Sequence, residues 1–132
     1  MKTKKRSKRS MRQTKKNIRQ SLPETHVING YTIFLYPYPN KTTYIEMVTN
    51  NGFISETKET SGINHLLEHV LTNAWTKCKD NKCSPYWTTR GVTYNASTSD
   101  TLLRYHTFGV RKFTKEMLDY IINITINPKI TQ

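Results

Sequence analysis

Residues 65–69 read His-Leu-Leu-Glu-His. This group has chemical meaning only on a helix, and that requirement constrains the chain more than any other feature. At about 100° per residue, His65 and His69 sit one turn apart, within about 40° of each other, and Glu68 lies beside them on the same side. Two imidazoles so spaced can hold one zinc ion, and a carboxylate between them can act on a water that the metal activates.

On the same wheel the apolar residues Ile63, Leu66, Leu67, Val70, Leu71 and Ala74 fall between roughly 100° and 240°, away from the histidines. The sequence therefore predicts a helix that packs through this stripe and presents both histidines on the other side. The order H-x-x-E-H is the reversed zincin signature and points to a metallopeptidase. The plainer alternative is a solvated polar face with two surface histidines. Five residues with two wildcards leave both readings open.

The rest of the chain reads as strands with helices between them. His26–Ile28 and Tyr31–Tyr36 flank Asn29-Gly30, a two-residue hairpin signal. Pro37 and Pro39 end that strand, and Thr42–Thr49 is a third, closed by Asn50-Asn51-Gly52. Thr60 or Ser61 is placed to cap the helix that carries the histidines. Residues 76–90 read as a loop, followed by strands over Thr93–Thr98 and Leu102–Val110. A last helix begins at a capping Thr114, buries Met117, Leu118, Ile121, Ile122 and Thr125, and stops at Asn127-Pro128. This order predicts an α+β fold, a mostly antiparallel sheet with helices packed on it.

A chain of 132 residues supports one modest core. Its net charge of +12 is unevenly spread. The first twenty residues hold ten of the 21 Lys and Arg and no acidic residue, whereas the remainder is nearly neutral. With only Met1, Met11 and Ile18 as apolar residues, that segment cannot bury enough surface to fold alone. The predicted organisation is thus a disordered basic tail over residues 1–22 and a folded part over 23–132. The tail suits nucleic acid, an anionic membrane surface or an organelle address, although its lysine-rich, non-amphipathic character fits a transit peptide poorly. No apolar run approaches a membrane span or a secretory h-region. The sequence predicts an intracellular protein, cytoplasmic or nuclear before secreted, with mitochondria left open.

Gly52 to Ala74 resembles the amino-terminal signature of the pitrilysin/insulinase zinc peptidases, peptidase family M16. Gly52, Glu56 and Gly62 occupy that signature's glycine, glutamate and glycine positions ahead of the histidines. Gly91-Val-Thr-Tyr-Asn95-Ala96-Ser97-Thr98 resembles the family's Asn-Ala-x-Thr strand, and Phe113–Pro128 its helix ending in Asn-Pro. The resemblance covers roughly residues 26–130. It implies a pitrilysin/LuxS-like metallohydrolase half-domain, the amino-terminal part of a peptidase domain. It assigns His65 and His69 as Zn2+ ligands and Glu68 as the catalytic base. It places Asn95 and Ala96 on an edge strand that binds an extended peptide substrate by strand addition.

One departure limits that expectation. A catalytic zinc takes three protein ligands, and the family's third is a glutamate roughly 75 residues beyond the second histidine. Counted from His69, that position falls past Gln132. Glu116 and Asp119 lie on a helix that does not match the ligand helix. The resemblance also implies a second homologous domain or chain that closes a chamber and completes the site. The isolated chain is therefore expected to bind zinc weakly and to be nearly inactive. The competing class is a non-catalytic interaction protein that binds nucleic acid or another anionic partner through its tail. Cys78 and Cys83 form a lone C-x4-C pair, predicted here to be free thiols, with a disulfide reserved for a secreted protein. His26 and His106 have no partner at metal spacing and are expected to be structural or exposed.

Overall fold

The computed structural model describes residues 22–78 and 82–130, so the predicted basic tail lies outside it apart from Leu22. The chain divides into two compact units, residues 1–39 and 40–132. The described part of the first unit is a hairpin of β1 (Glu24–Ile28) and β2 (Tyr31–Leu35), antiparallel with Ile28 opposite Tyr31. Its turn needs two residues of positive φ, and Asn29 at 51° and Gly30 at 83° supply them.

The second unit is a three-stranded antiparallel sheet with three helices. In chain order it holds β3 (Thr42–Thr49), α1 (Ile63–Thr72), α2 (Cys83–Thr88), β4 (Val92–Thr98), β5 (Leu103–Val110) and α3 (Thr114–Thr125). The strand order is β3-β5-β4, so β3 and β4 are the edges among the described residues. Glu46, His106 and Asn95 lie side by side across the three strands. Alternation sorts the side chains onto two faces. Val92, Ala96, Leu103, Tyr105 and Thr107 are buried on the face where all three helices pack. Tyr44, Val48, Phe108 and Val110 stand exposed on the other. The architecture is α+β with antiparallel sheets, as the sequence predicts.

The core gathers around two tryptophans. Trp75 and Trp87 stack with ring centroids 5.2 Å apart, and Tyr120 meets both edge-on at 5.4 Å. Leu71, Met117, Ile121 and Ile124 fill the space around them. Such aromatic contacts contribute roughly 0.5–1.5 kcal/mol each beyond the area they bury. Among the described residues, no helix is long and apolar enough to cross a membrane.

Several expectations are corrected by the packing. The segment read as a loop over residues 76–90 contains α2, which buries Cys83 and Trp87. Cys78 and Cys83 are joined in a disulfide rather than free, because the turn after α1 and the start of α2 bring their Cα atoms to 4.7 Å. Thr114 does not cap α3. It is the first helical residue, donates to the Arg111 carbonyl and shares a 2.6 Å hydrogen bond with the Thr43 hydroxyl. On α3 the buried residues are Met117, Tyr120, Ile121 and Ile124, while Leu118 and Ile122 of the predicted stripe are exposed.

The largest correction concerns α1. Its buried residues are Asn64, Glu68 and Leu71, and Ile63, Leu66, Leu67 and Val70 are exposed. The packing face is thus rotated from the apolar stripe toward the motif carboxylate. Burial of two polar side chains is tolerated because each meets hydrogen-bond partners on neighbouring elements. The predicted stripe is thus not the packing face, and of that expectation the exposure of both histidines is what the structure shows.

Candidate metal centre

Helix α1 is preceded by Gly62, whose φ of 85° suits a residue without Cβ. Gly62 has no side chain to accept the first backbone donors of the helix. Neither the Thr60 nor the Ser61 side chain replaces it, although the Thr60 carbonyl accepts from Ile63 N–H at 3.0 Å. The carboxylate of Glu56 does so from six and eight residues away, accepting from Gly62 N–H at 2.6 Å and Asn64 N–H at 3.0 Å. These two backbone bonds, Gly62 first, hold the Glu56 carboxyl below its ordinary pKa. A negative charge here also suits the positive end of the helix dipole.

Asn64 extends the clamp. Its side-chain amide donates toward Gly52 O at 3.1 Å, Ser55 Oγ at 3.2 Å and Glu56 Oε1 at 3.1 Å. Residues 52–56 are themselves fixed to the β4–β5 turn, since Phe53 N–H donates to Ser99 O at 3.0 Å and Ile54 N–H to Asp100 O at 2.8 Å. The approach is so close that a Cβ on Gly52 would lie 2.4 Å from the Asp100 carbonyl.

From that anchored first turn and the turn after it, His65 and His69 project together. Their Nε2 atoms are 3.0 Å apart and their ring centroids 4.8 Å. One ring donates to the other in this arrangement. The same separation is shorter than twice a zinc–imidazole distance of about 2.0–2.1 Å, so one ion can reach both nitrogens. A ligand atom from each of His65, Glu68 and His69 lies within 4.8 Å of the others. Two imidazole nitrogens beside a carboxylate oxygen are a donor set that suits zinc.

Glu68 lies next to the histidines on the side of the helix that meets the sheet, and is buried. Its Oε2 accepts a 2.6 Å hydrogen bond from the Thr98 hydroxyl on β4. Its charge, second to burial itself, helps push the Tyr105 phenol up to about 12. The Tyr105 hydroxyl has no hydrogen-bond partner among the described residues. Below the histidines, Thr72 returns its hydroxyl to the carbonyls of Glu68 and His69, both at 3.0 Å, and Tyr120 donates to the Thr72 carbonyl at 2.8 Å. The helix is thus tied at both ends to the core.

The other sequence candidates lie on β4. Asn95 is on the open face of the sheet and Ala96 on the face the helices cover. The strand is an edge, and Ala96 N–H donates to Asn95 Oδ1 at 2.9 Å. Glu116 and Asp119 do not join the histidine cluster: Glu116 accepts from Tyr86 at 2.8 Å and pairs with Arg90 at 3.3 Å, while Asp119 pairs with Lys115 at 2.8 Å. The sequence pattern gives Asn64 and Thr98 no role of their own at the site. The spacing of Asn64 and Glu68, one helical turn, was the available signal for a second polar residue on the packed face. Nothing in the sequence marks Thr98 as the partner of Glu68.

The fold is similar to that of a protease from Helicobacter pylori, with a TM-score of 0.74, 21% identity and 84% of this chain covered. This chain spans 28% of that protease's length. No curated protein matches the sequence. The profile of the insulinase family, peptidase family M16, matches residues 31–132, which include the hairpin's second strand, the histidine helix and everything after it. A match over most of the chain, on a fold shared with a protease, places this protein in the insulinase family of peptidases, M16.

Proposed function

We propose that His65 and His69 hold a zinc ion and that Glu68 is the general base of a metalloendopeptidase. The observation that carries this reading is the 3.0 Å approach of the two Nε2 atoms beside a carboxylate held from behind. A zinc ion there supplies Lewis acidity toward a water and toward a peptide carbonyl. Glu68 keeps Oε2 on Thr98 and uses Oε1 to take a proton from the attacking water. The oxygen of that water bonds to the carbonyl carbon, the C–N bond breaks, and Glu68 delivers the proton to the departing amine. Thr98 fixes the carboxylate through both transfers.

The substrate proposed is an extended peptide that adds to the free edge of β4 at Asn95 and Ala96. Ala96 N–H is then the main-chain donor an added strand takes up, and Asn95 Oδ1 has to release it. Zinc in a catalytic site takes three protein ligands. Among the described residues no further His, Cys, Asp or Glu joins the cluster. The proposed source of the third is another segment, or a second homologous domain or chain.

The test is zinc stoichiometry and affinity of the purified chain, with His69→Ala as control. Binding that disappears in the variant supports the ligand assignment, and equal binding in both refutes it. In a form that cleaves peptides, Glu68→Gln should lose activity by at least about a hundredfold while retaining zinc.

A further inference from the structure

Helix α1 places His65 in its first turn, the part of a helix that frays when its leading N–H groups lack acceptors. His69 is a full turn deeper, with its carbonyl held by Thr72 and by Asn73, whose side-chain amide donates to it at 3.2 Å. The metal pair therefore has one anchored member and one that depends on the helix start. The residue at that start, Gly62, offers no side-chain cap.

We propose that Glu56 is a positioning residue for the metal pair. Its carboxylate supplies the missing cap and holds the first turn so that His65 stays in register with His69. This rests on the reading of His65 and His69 as ligands. Three observations carry it. Glu56 accepts from two first-turn N–H groups at 2.6 and 3.0 Å, directly before His65. Asn64, the residue next to His65, is buried and shares the same carboxylate at 3.1 Å. The loop bearing Glu56 is bonded to Ser99 and Asp100, the two residues after Thr98, which grips Glu68. One turn of chain thus references both the base and the first histidine to the same strand end.

The physical consequence follows from populations. Metal binding selects conformers in which both imidazoles converge, and apparent affinity falls in proportion to the fraction of chains in that state. Removing the cap lowers that fraction without touching a ligand. Glutamine at this position keeps one acceptor oxygen but turns an NH2 toward an N–H, so it restores part of the effect.

The experiment compares Glu56→Ala, Glu56→Gln and, as an exposed control, Glu59→Ala in the full chain. Two readouts are taken: zinc affinity by competition with a chromophoric chelator, and ring-nitrogen NMR spectra of the histidines in the metal-free chain. Glu56→Ala should weaken zinc binding by about tenfold, with Gln between it and wild type and Glu59→Ala unchanged. The His65 ring signals should shift or broaden more than those of His69. Affinities within about twofold of wild type in both Glu56 variants, with unchanged His65 signals, would overturn the proposal. If wild type and His69→Ala bind zinc alike, the metal reading fails by itself. The metal-free spectra then decide whether Glu56 holds His65 at all: altered His65 signals sustain that hold without a metal role, and unchanged ones refute it. Should the alanine variant not fold, the glutamine variant carries the comparison.

Discussion

The Thr98 hydroxyl donates to Glu68 Oε2 across 2.6 Å, joining the edge strand β4 to the buried face of the histidine helix. A carboxylate taken out of water needs such a donor. Thr98→Val keeps the shape and deletes the donor, leaving a buried charged group under-satisfied. The expected loss of stability is about 1–3 kcal/mol, read from urea unfolding, with Thr98→Ser close to wild type. In a Glu68→Gln background the same change should cost less, because the charge has gone. An equal cost in both backgrounds would mean that Thr98 acts through packing alone.

Gly52 is the contact point between the loop that carries Glu56 and the β4–β5 turn. A methyl group at this position would sit 2.4 Å from backbone atoms of Ser99 and Asp100, which have no freedom to rotate away. Gly52→Ala should therefore separate the loop from the turn, lowering thermal stability by about 1–3 kcal/mol and increasing amide exchange at Phe53 and Ile54. Unchanged exchange at those two amides would refute the contact.

Buried phenols predict a loss of stability at alkaline pH. Tyr105 is pushed up to about 12 and Tyr120 is raised further, both mainly by burial. The neutral phenol is the form the fold favours. Its stabilisation is fully present below the unfolded value of about 10 and is lost as pH rises toward 12. Urea midpoints measured from pH 9 to 11.5 should fall, and Tyr105→Phe should flatten part of that fall, with Tyr120 and the other raised phenols, Tyr44, Tyr86 and Tyr94, contributing the rest. At neutral pH the same substitution should be nearly neutral, since the hydroxyl has no partner to lose. A pH slope identical in wild type and Tyr105→Phe would exclude Tyr105 as a contributor.

Local signals carried much of the fold. The positive φ angles demanded between β1 and β2 are written in Asn29-Gly30, and β3 runs over the predicted Thr42–Thr49. Leu103–Val110 differs from its predicted span by one residue, because strand ends depend only on nearby composition. The α2 helix is not legible in the sequence because it is six residues long, with Pro85 inside its first turn. So short a helix owes its existence to the burial of Trp87 against Trp75 and Tyr120, not to its own periodicity. The disulfide is illegible for the same reason, since five residues of separation say nothing about approach until α2 forms.

What the sequence determined by itself is the chemistry: two imidazoles and a carboxylate at helical spacing, on a helix whose exposed side carries the histidines. The i, i+4 geometry of any α-helix brings those nitrogens together, whatever surrounds it. What only the tertiary structure decided is which way the helix turns on the sheet. Hydrophobicity alone would have buried Ile63, Leu66 and Val70. Instead Asn64 and Glu68 face inward, because Gly52, Ser55, Glu56 and Thr98 wait there as hydrogen-bond partners. Those partners come from 8 to 30 residues away, and no local pattern encodes their arrival.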